Sequence, residues 1–161
     1  MGPTGGTVSK DDALAKEIVD LLFELVGRMR ANFQEQATKL DLSPVQAGAI
    51  IRLDEPAPMH RLAAHLGCDA SNITGIIDRL EARGLVERRV DEEDRRVKNL
   101  VLTRQGARLR ARLGQRLLET SPITAATSKA EQRALRDMLS RMLGSPSPIH
   151  GPRSRIERSK S

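Results

Sequence analysis

Three groups of residues in this 161-residue chain have types and spacing that could do chemistry. The first is Ala70, Ser71, Asn72 and Thr74, with Arg79 further along the same predicted helix. Small and short polar side chains let a helix come close to another surface, and their hydroxyl, amide and methyl groups can read base edges in a DNA major groove. The competing reading is that Ser71 and Asn72 only cap the helix and Arg79 is solvated. The second group is the loop of residues 91–96, DEEDRR, in which four acids are followed by Arg95 and Arg96; a plain acidic turn is its competing reading. The third is His60, His65 and Cys68. Histidines five residues apart do not share a helical face, and Cys68 takes a turn position that any small apolar residue would serve, so no metal site is expected. No glycine loop cradles a phosphate, no Cys/His or Ser/His/Asp set appears, and no paired carboxylates lie outside solvated helices and the charged loop. The sequence therefore predicts no enzyme and no cofactor.

The elements that must position the first two groups are a helix-turn-helix and a hairpin. Ala63 is small where two helices cross, and Gly67 supplies a left-handed turn four residues on. Ile73 and Ile76 give the second helix its inward face. Gly84 ends that helix, residues 85–89 read as a strand, 91–96 as a charged loop and 99–103 as the returning strand. This is a winged helix. Asp78 and Glu81 are expected to hold arginines in place rather than face phosphates.

Through DRLEARGLVERR (78–89), DEEDRR (91–96) and LVLTRQG (100–106), the chain resembles the multiple-antibiotic-resistance regulator (MarR) family of bacterial transcription factors, from about Ala13 to about Leu143. The resemblance implies that Asp94, Arg95 and Arg96 form the wing motif, Arg96 entering a narrow minor groove and Asp94 orienting the loop. It also implies an effector pocket between dimerisation helices and reading lobe, for which Arg28, Met29, Phe33, Gln46 and Ile50 are the candidates. These five are equally readable as core and solvated surface. Peroxide-sensing members carry a cysteine near the start of the first helix. This chain has none there, so Cys68 is expected to be a buried structural thiol.

Six helices and one hairpin are expected, a mainly α fold with a small β wing. Residues 11–143 form a single domain, with 11–40 and 104–143 as dimerisation helices and 43–103 as the winged helix-turn-helix lobe. Residues 1–10 are expected to be flexible, and 144–161 to be a disordered basic tail. The first helix has apolar residues at Leu14, Ile18, Leu21, Leu22, Leu25, Met29 and Phe33, spaced by three and four. Ser43, Pro44 and Gln46 make a capping-box start for a second helix, and Ser128 with Glu131 another for the sixth. Pro122 marks the end of the fifth helix, and the stretch 54–58 is expected to contribute a short edge strand.

Two Phe, no Trp and no Tyr leave the core aliphatic and thin, which favours a homodimer that completes its burial across an interface. The pairing is expected through Leu14, Ile18, Leu21, Leu117, Leu135 and Leu139. One cysteine suits a reducing cytoplasm, and no membrane span or signal peptide is recognisable. The net charge of +6 is misleading, because residues 59–103 carry 8 Lys/Arg against 8 Asp/Glu. Phosphate binding would depend on where single arginines and helix N-termini point. The expected function is a homodimeric DNA-binding regulator, a repressor of a pseudo-palindromic operator released by a small anionic or lipophilic ligand. The alternatives are a winged-helix protein-interaction module and a sequence-tolerant architectural DNA binder.

Overall fold

The computed structural model describes residues 10–90 and 98–144. Helix α1 (Lys10–Thr38) leads through a turn at Asp41, a non-glycine residue at φ 54°, into α2 (Pro44–Arg52). That left-handed residue is held from outside, since the Arg83 guanidinium donates to the Asp41 carbonyl at 2.6 Å. The Ser43 capping box forms as expected: the Ser43 hydroxyl accepts from the Gln46 N–H, and the Gln46 side chain returns to the Ser43 N–H at 3.0 Å.

The helix-turn-helix comprises α3 (Met59–Leu66) and α4 (Ala70–Ala82). Gly67 sits at φ 61° between them, and the Cys68 N–H closes the turn on the Ala63 carbonyl at 3.1 Å. Leu62 and Ala63 from α3 meet Ile73, Ile76, Ile77 and Leu80 from α4, over Ala47, Ile50 and Leu53 from the second helix and its end. Burying each of the larger side chains contributes about 1.5–3 kcal/mol, so this cluster is the main support of the lobe.

The wing strands are β2 (Val86–Val90) and β3 (Lys98–Leu102), and β1 (Ala57–Pro58) pairs with the far edge of β3 in an antiparallel sheet of order β1-β3-β2. Val86 faces Leu102 and Arg88 faces Leu100. Both wing strands stand one residue off the expected bounds, for one reason at each end. The Leu85 N–H is used to close α4 on the Leu80 carbonyl, and Thr103 is taken as the N-cap of α5 (Arg104–Glu119).

That N-cap is also a joint. The Thr103 hydroxyl accepts from the Gly106 N–H at 3.1 Å and donates to the Gly84 carbonyl at 2.6 Å, while the Thr103 N–H reaches the Leu85 carbonyl at 3.1 Å. A Cβ on Gly106 would lie 2.0 Å from that same Leu85 oxygen. Two further ties fix α5: Arg110 donates to the Ile51 carbonyl at 3.2 Å, and Arg116 to the side-chain oxygen of buried Gln36 at 3.0 Å.

The six expected helices are present, and a short α6 (Pro122–Ala126) precedes α7 (Lys129–Met142). Helix α5 stops at Glu119, just ahead of Pro122, and with Ser121 as N-cap Pro122 also occupies the first turn of this extra helix, where a missing N–H costs nothing. The Ser128–Glu131 capping box then starts α7. Two helices carry much apolar surface that their own chain leaves open. Residues 12–24 of α1 are all exposed, including Leu14, Ile18, Leu21 and Phe23, and so are Met138, Leu139 and Met142 of α7. Leu117 differs from that group, being packed partly against the core of its own chain.

Candidate nucleic-acid interface

Helix α4 turns Ile73, Ile76, Ile77 and Leu80 inward, which fixes what it turns outward. Ser71, Gly75, Asp78 and Ala82 follow one another at steps of four and three along the opposite stripe. Thr74 lies on one flank of that stripe, and exposed Asn72 and Arg79 on the other. The expected readers therefore share one surface of one rigid helix, except Ala70, whose side chain lies outside the described residues together with Asp94, Arg95 and Arg96 of the wing loop.

Asp69 organises the leading end of this surface. It is the N-cap of α4, and its Oδ1 accepts the Asn72 backbone N–H at 2.8 Å. The Ser71 hydroxyl donates to the same oxygen at 2.8 Å, and the Asn72 side-chain amide donates to Oδ2 at 3.1 Å. The Asn72 backbone N–H, followed by the Ser71 hydroxyl, holds the Asp69 carboxyl below its ordinary range, so it is ionised at neutral pH. The capping role that the competing reading gave to Ser71 and Asn72 thus belongs to Asp69. Both expected residues instead direct their side chains at it.

Farther along, Arg88 of β2 bridges Asp78 at 2.6 Å and also pairs with Glu81. This is the arginine-holding role expected of those two acids, and it offsets one of their two negative charges while tying α4 to the wing. Gly75 stands at the middle of the outward stripe, and a Cβ there would meet no atom within 4 Å. Among the described residues nothing in the packing calls for glycine at that point, although an interior helical glycine costs about 1 kcal/mol relative to alanine.

The candidate effector residues are not gathered around one cavity. Ile50 is fully buried in the core, Gln46 is committed to its capping box, and Phe33 packs partly against the core. Met29 is exposed, and Arg28 pairs with Glu24 one turn back at 2.5 Å. A cleft of about 420 Å³ does open between α1 and the α5–α6 corner, lined by Arg28, Asn32, Glu35, Gln36, Lys39 and Thr120 among others. Only Arg28 is common to both sets. The reason is physical: Ile50 and Phe33 have the apolar character that either a pocket or a core demands, and the core took them. His60 and His65 are both exposed, and Cys68 is half-buried with its thiol directed at the Leu66 carbonyl.

Asp69 and Gly75 were not among the expected site residues. An Asp three residues before an Asn at a helix start is an N-cap signature. A glycine inside a helical pattern is a signal to ask what approaches it.

Comparison with known proteins follows this geometry. The MarR family model matches residues 49–98, which cover α3, α4 and most of the wing. The HTH-type transcriptional repressor NicR of Pseudomonas putida is 33% identical over 98 residues, 60% of this chain. The chain spans only 62% of that relative's length, and 46% of a second curated relative's. A crystal structure of a MarR-family transcriptional regulator from Silicibacter pomeroyi superposes with a TM-score of 0.61 at 27% identity, covering 77% of this chain and 86% of that one. A mutant of MepR from S. aureus, bound to an oligodeoxyribonucleotide, shares the fold at 21% identity with a TM-score of 0.55, covering 78% of this chain and 96% of its own.

Proposed function

We propose, from its likeness to the MarR family of winged helix-turn-helix transcription factors, that the chain is a MarR-type, sequence-specific DNA-binding regulator, a repressor whose α4 lies in the major groove. The observation that carries this reading is the outward stripe of α4, small at Ser71, Gly75 and Ala82 and flanked by exposed Asn72 and Arg79. A helix shaped in this way can bring its backbone close to base edges while one arginine reaches a base or phosphate. Arg88 offsets one of the two negative charges of Asp78 and Glu81, which lessens the repulsion that the same surface offers a polyanion. The wing residues Asp94, Arg95 and Arg96 complete the proposed contact, with Arg96 in the minor groove.

The regulator works as a homodimer in the cytoplasm, on an operator with two-fold pseudo-symmetry. Support comes from the apolar faces of α1 and α7, where Phe23 is 73% exposed and Met142 69% exposed in the single chain. Contiguous apolar surface of this kind marks an interface. A small anionic or lipophilic ligand releases the operator, and the cleft beside Arg28 and Lys39 is where its anionic group can be met. No helix among the described residues is long and apolar enough to cross a membrane.

Competition gel shifts test the reading. DNA from upstream of the protein's own gene should outcompete random-sequence duplex by at least 1000-fold at fixed salt, about the lower bound for specific recognition. Equal competition would make the protein an architectural binder, and no shift with either DNA would make it a protein-interaction module.

A further inference from the structure

We infer that Asp69 is a specificity-determining residue that makes Ser71 an obligate hydrogen-bond acceptor, so that α4 selects by which strand carries a base amino group. The inference rests on the proposed seating of α4 in the major groove and deepens it.

A free serine hydroxyl is indifferent: it has one hydrogen to give and two lone pairs to offer. It can therefore donate to a guanine or thymine carbonyl, or accept from an adenine or cytosine amino group. Here that freedom is removed. An ionised carboxylate accepts only, so the 2.8 Å contact between Ser71 Oγ and Asp69 Oδ1 must be carried by the serine's single hydrogen. What remains on Ser71 is two lone pairs.

The same logic turns Asn72. Only its NH2 group can face the carboxylate, which at 3.1 Å leaves Oδ1 directed away from Asp69. One oxygen of Asp69 takes the hydroxyl and the backbone N–H, the other takes the amide, and the leading turn of α4 presents acceptors where its sequence alone would allow either polarity. Gly75 lies one turn behind Ser71 on the same stripe with open space where its Cβ would be, so no side chain at that point holds Ser71 away from a base edge.

In the major groove, adenine N6 and cytosine N4 are donors, whereas thymine O4 and guanine O6 and N7 are acceptors. An acceptor-only Ser71 treats A and C alike on the strand it faces and rejects T and G, because two lone pairs would be left opposed. The preference divides neither purine from pyrimidine nor A·T from G·C. The same carboxylate faces a polyanion, so it also weakens binding to DNA that offers it no amino groups nearby.

The test is selection from a randomised duplex library with the full chain, read by sequencing. The Ser71→Ala variant identifies the base pair that Ser71 reads, as the position whose preference flattens. At that position the unaltered protein should favour A and C over G and T on one strand by about tenfold, the discrimination of one good polar contact. Asp69→Gly removes every side-chain acceptor at this position at little cost to the N-cap, and Asp69→Ser keeps a strong N-cap while removing the carboxylate. Both should lift the preference at that position, preserve the rest of the motif, and bind random duplex more tightly than the unaltered protein. A preference that divides along any other line, a Ser71→Ala motif identical to the original, or an Asp69→Gly motif unchanged at that position would each overturn the inference while leaving DNA reading intact. Failure of the unaltered protein to enrich any sequence would instead overturn the proposed function, and this inference with it.

Discussion

Replacing Gly75 with alanine separates what α4 does for the fold from what it does for a partner. Among the described residues the added methyl group meets nothing within 4 Å, so the folded-state effect expected is on helix propensity, where alanine is favoured over glycine by about 1 kcal/mol. For a domain of this size that corresponds to a rise in Tm of about 3–5 °C. On DNA the sign reverses. A methyl group at the centre of the stripe that approaches the groove holds the backbone off the bases, and overpacking of a close contact costs about 1–3 kcal/mol, or roughly 5- to 150-fold in affinity. Thermal unfolding followed by circular dichroism, together with fluorescence anisotropy on the selected operator at one salt concentration, measures both. A variant that is stabilised and weakened in binding is expected. Stabilisation with unchanged affinity would remove the stripe from the groove, and destabilisation would show that Gly75 is held by packing.

Other perturbations probe other parts. Gly106→Ala sets a Cβ 2.0 Å from the Leu85 carbonyl, backbone against backbone with no flexible side chain to yield, so a loss of about 3 kcal/mol or more is expected in urea unfolding; a loss below about 1 kcal/mol would mean that the joint is loose. The Glu131 carboxyl is held below its ordinary range by the Ser128 backbone N–H and then the Ser128 hydroxyl. The unfolded chain therefore takes up that proton first, so the stabilisation is complete above the ordinary glutamate value and is lost as pH falls through the lower folded one. Glu131→Gln should accordingly flatten the acid limb of stability below about pH 4; an unchanged limb would assign the acid response elsewhere. Ile18→Glu on the exposed face of α1 should yield a folded monomer by sedimentation, and a dimer as stable as the original would place the interface elsewhere. Arg96→Ala should weaken operator binding by about 1–3 kcal/mol with the fold intact, and unchanged affinity would take Arg96 out of the interface.

Features set by neighbouring residues were legible in the sequence. The capping boxes at Ser43 and Ser128, the left-handed glycines at 67 and 84, and the inward face of α4 depend on spacings of a few residues, and the structure has them where expected. Features set at a distance were not. In the run from Asp69 to Asn72 several residues are good caps, and the choice falls to Asp69 because the turn after α3 closes at Cys68. No local pattern marks Gln36, yet it is buried and bonded to Arg116, 80 residues away. Arg88 reads as one of two adjacent strand arginines, and only the packing of β2 against α4 shows which of them holds Asp78 and Glu81. Ile50 and Phe33 are apolar and pack with the core of the single chain, and hydrophobic pattern cannot tell a ligand's neighbour from a core residue.

The joint at Thr103 has a mechanical meaning. Helix α5 is clamped at its first turn to the end of α4 and the base of the wing, braced at Arg110 against the end of α2, and tied at Arg116 to α1. With 16 residues it is about 24 Å long, so it acts as a stiff lever arm whose fulcrum cannot lie at its junction with the reading lobe. A tilt of about 5° at the far end carries the lobe through about 2 Å with no bending along the way. Compliance must therefore lie in the parts that the core does not grip, the first half of α1 and the segment beyond Thr120. In a two-fold pair whose reading helices must stand about 34 Å apart, whatever wedges or relaxes those outer parts sets the span of the calliper.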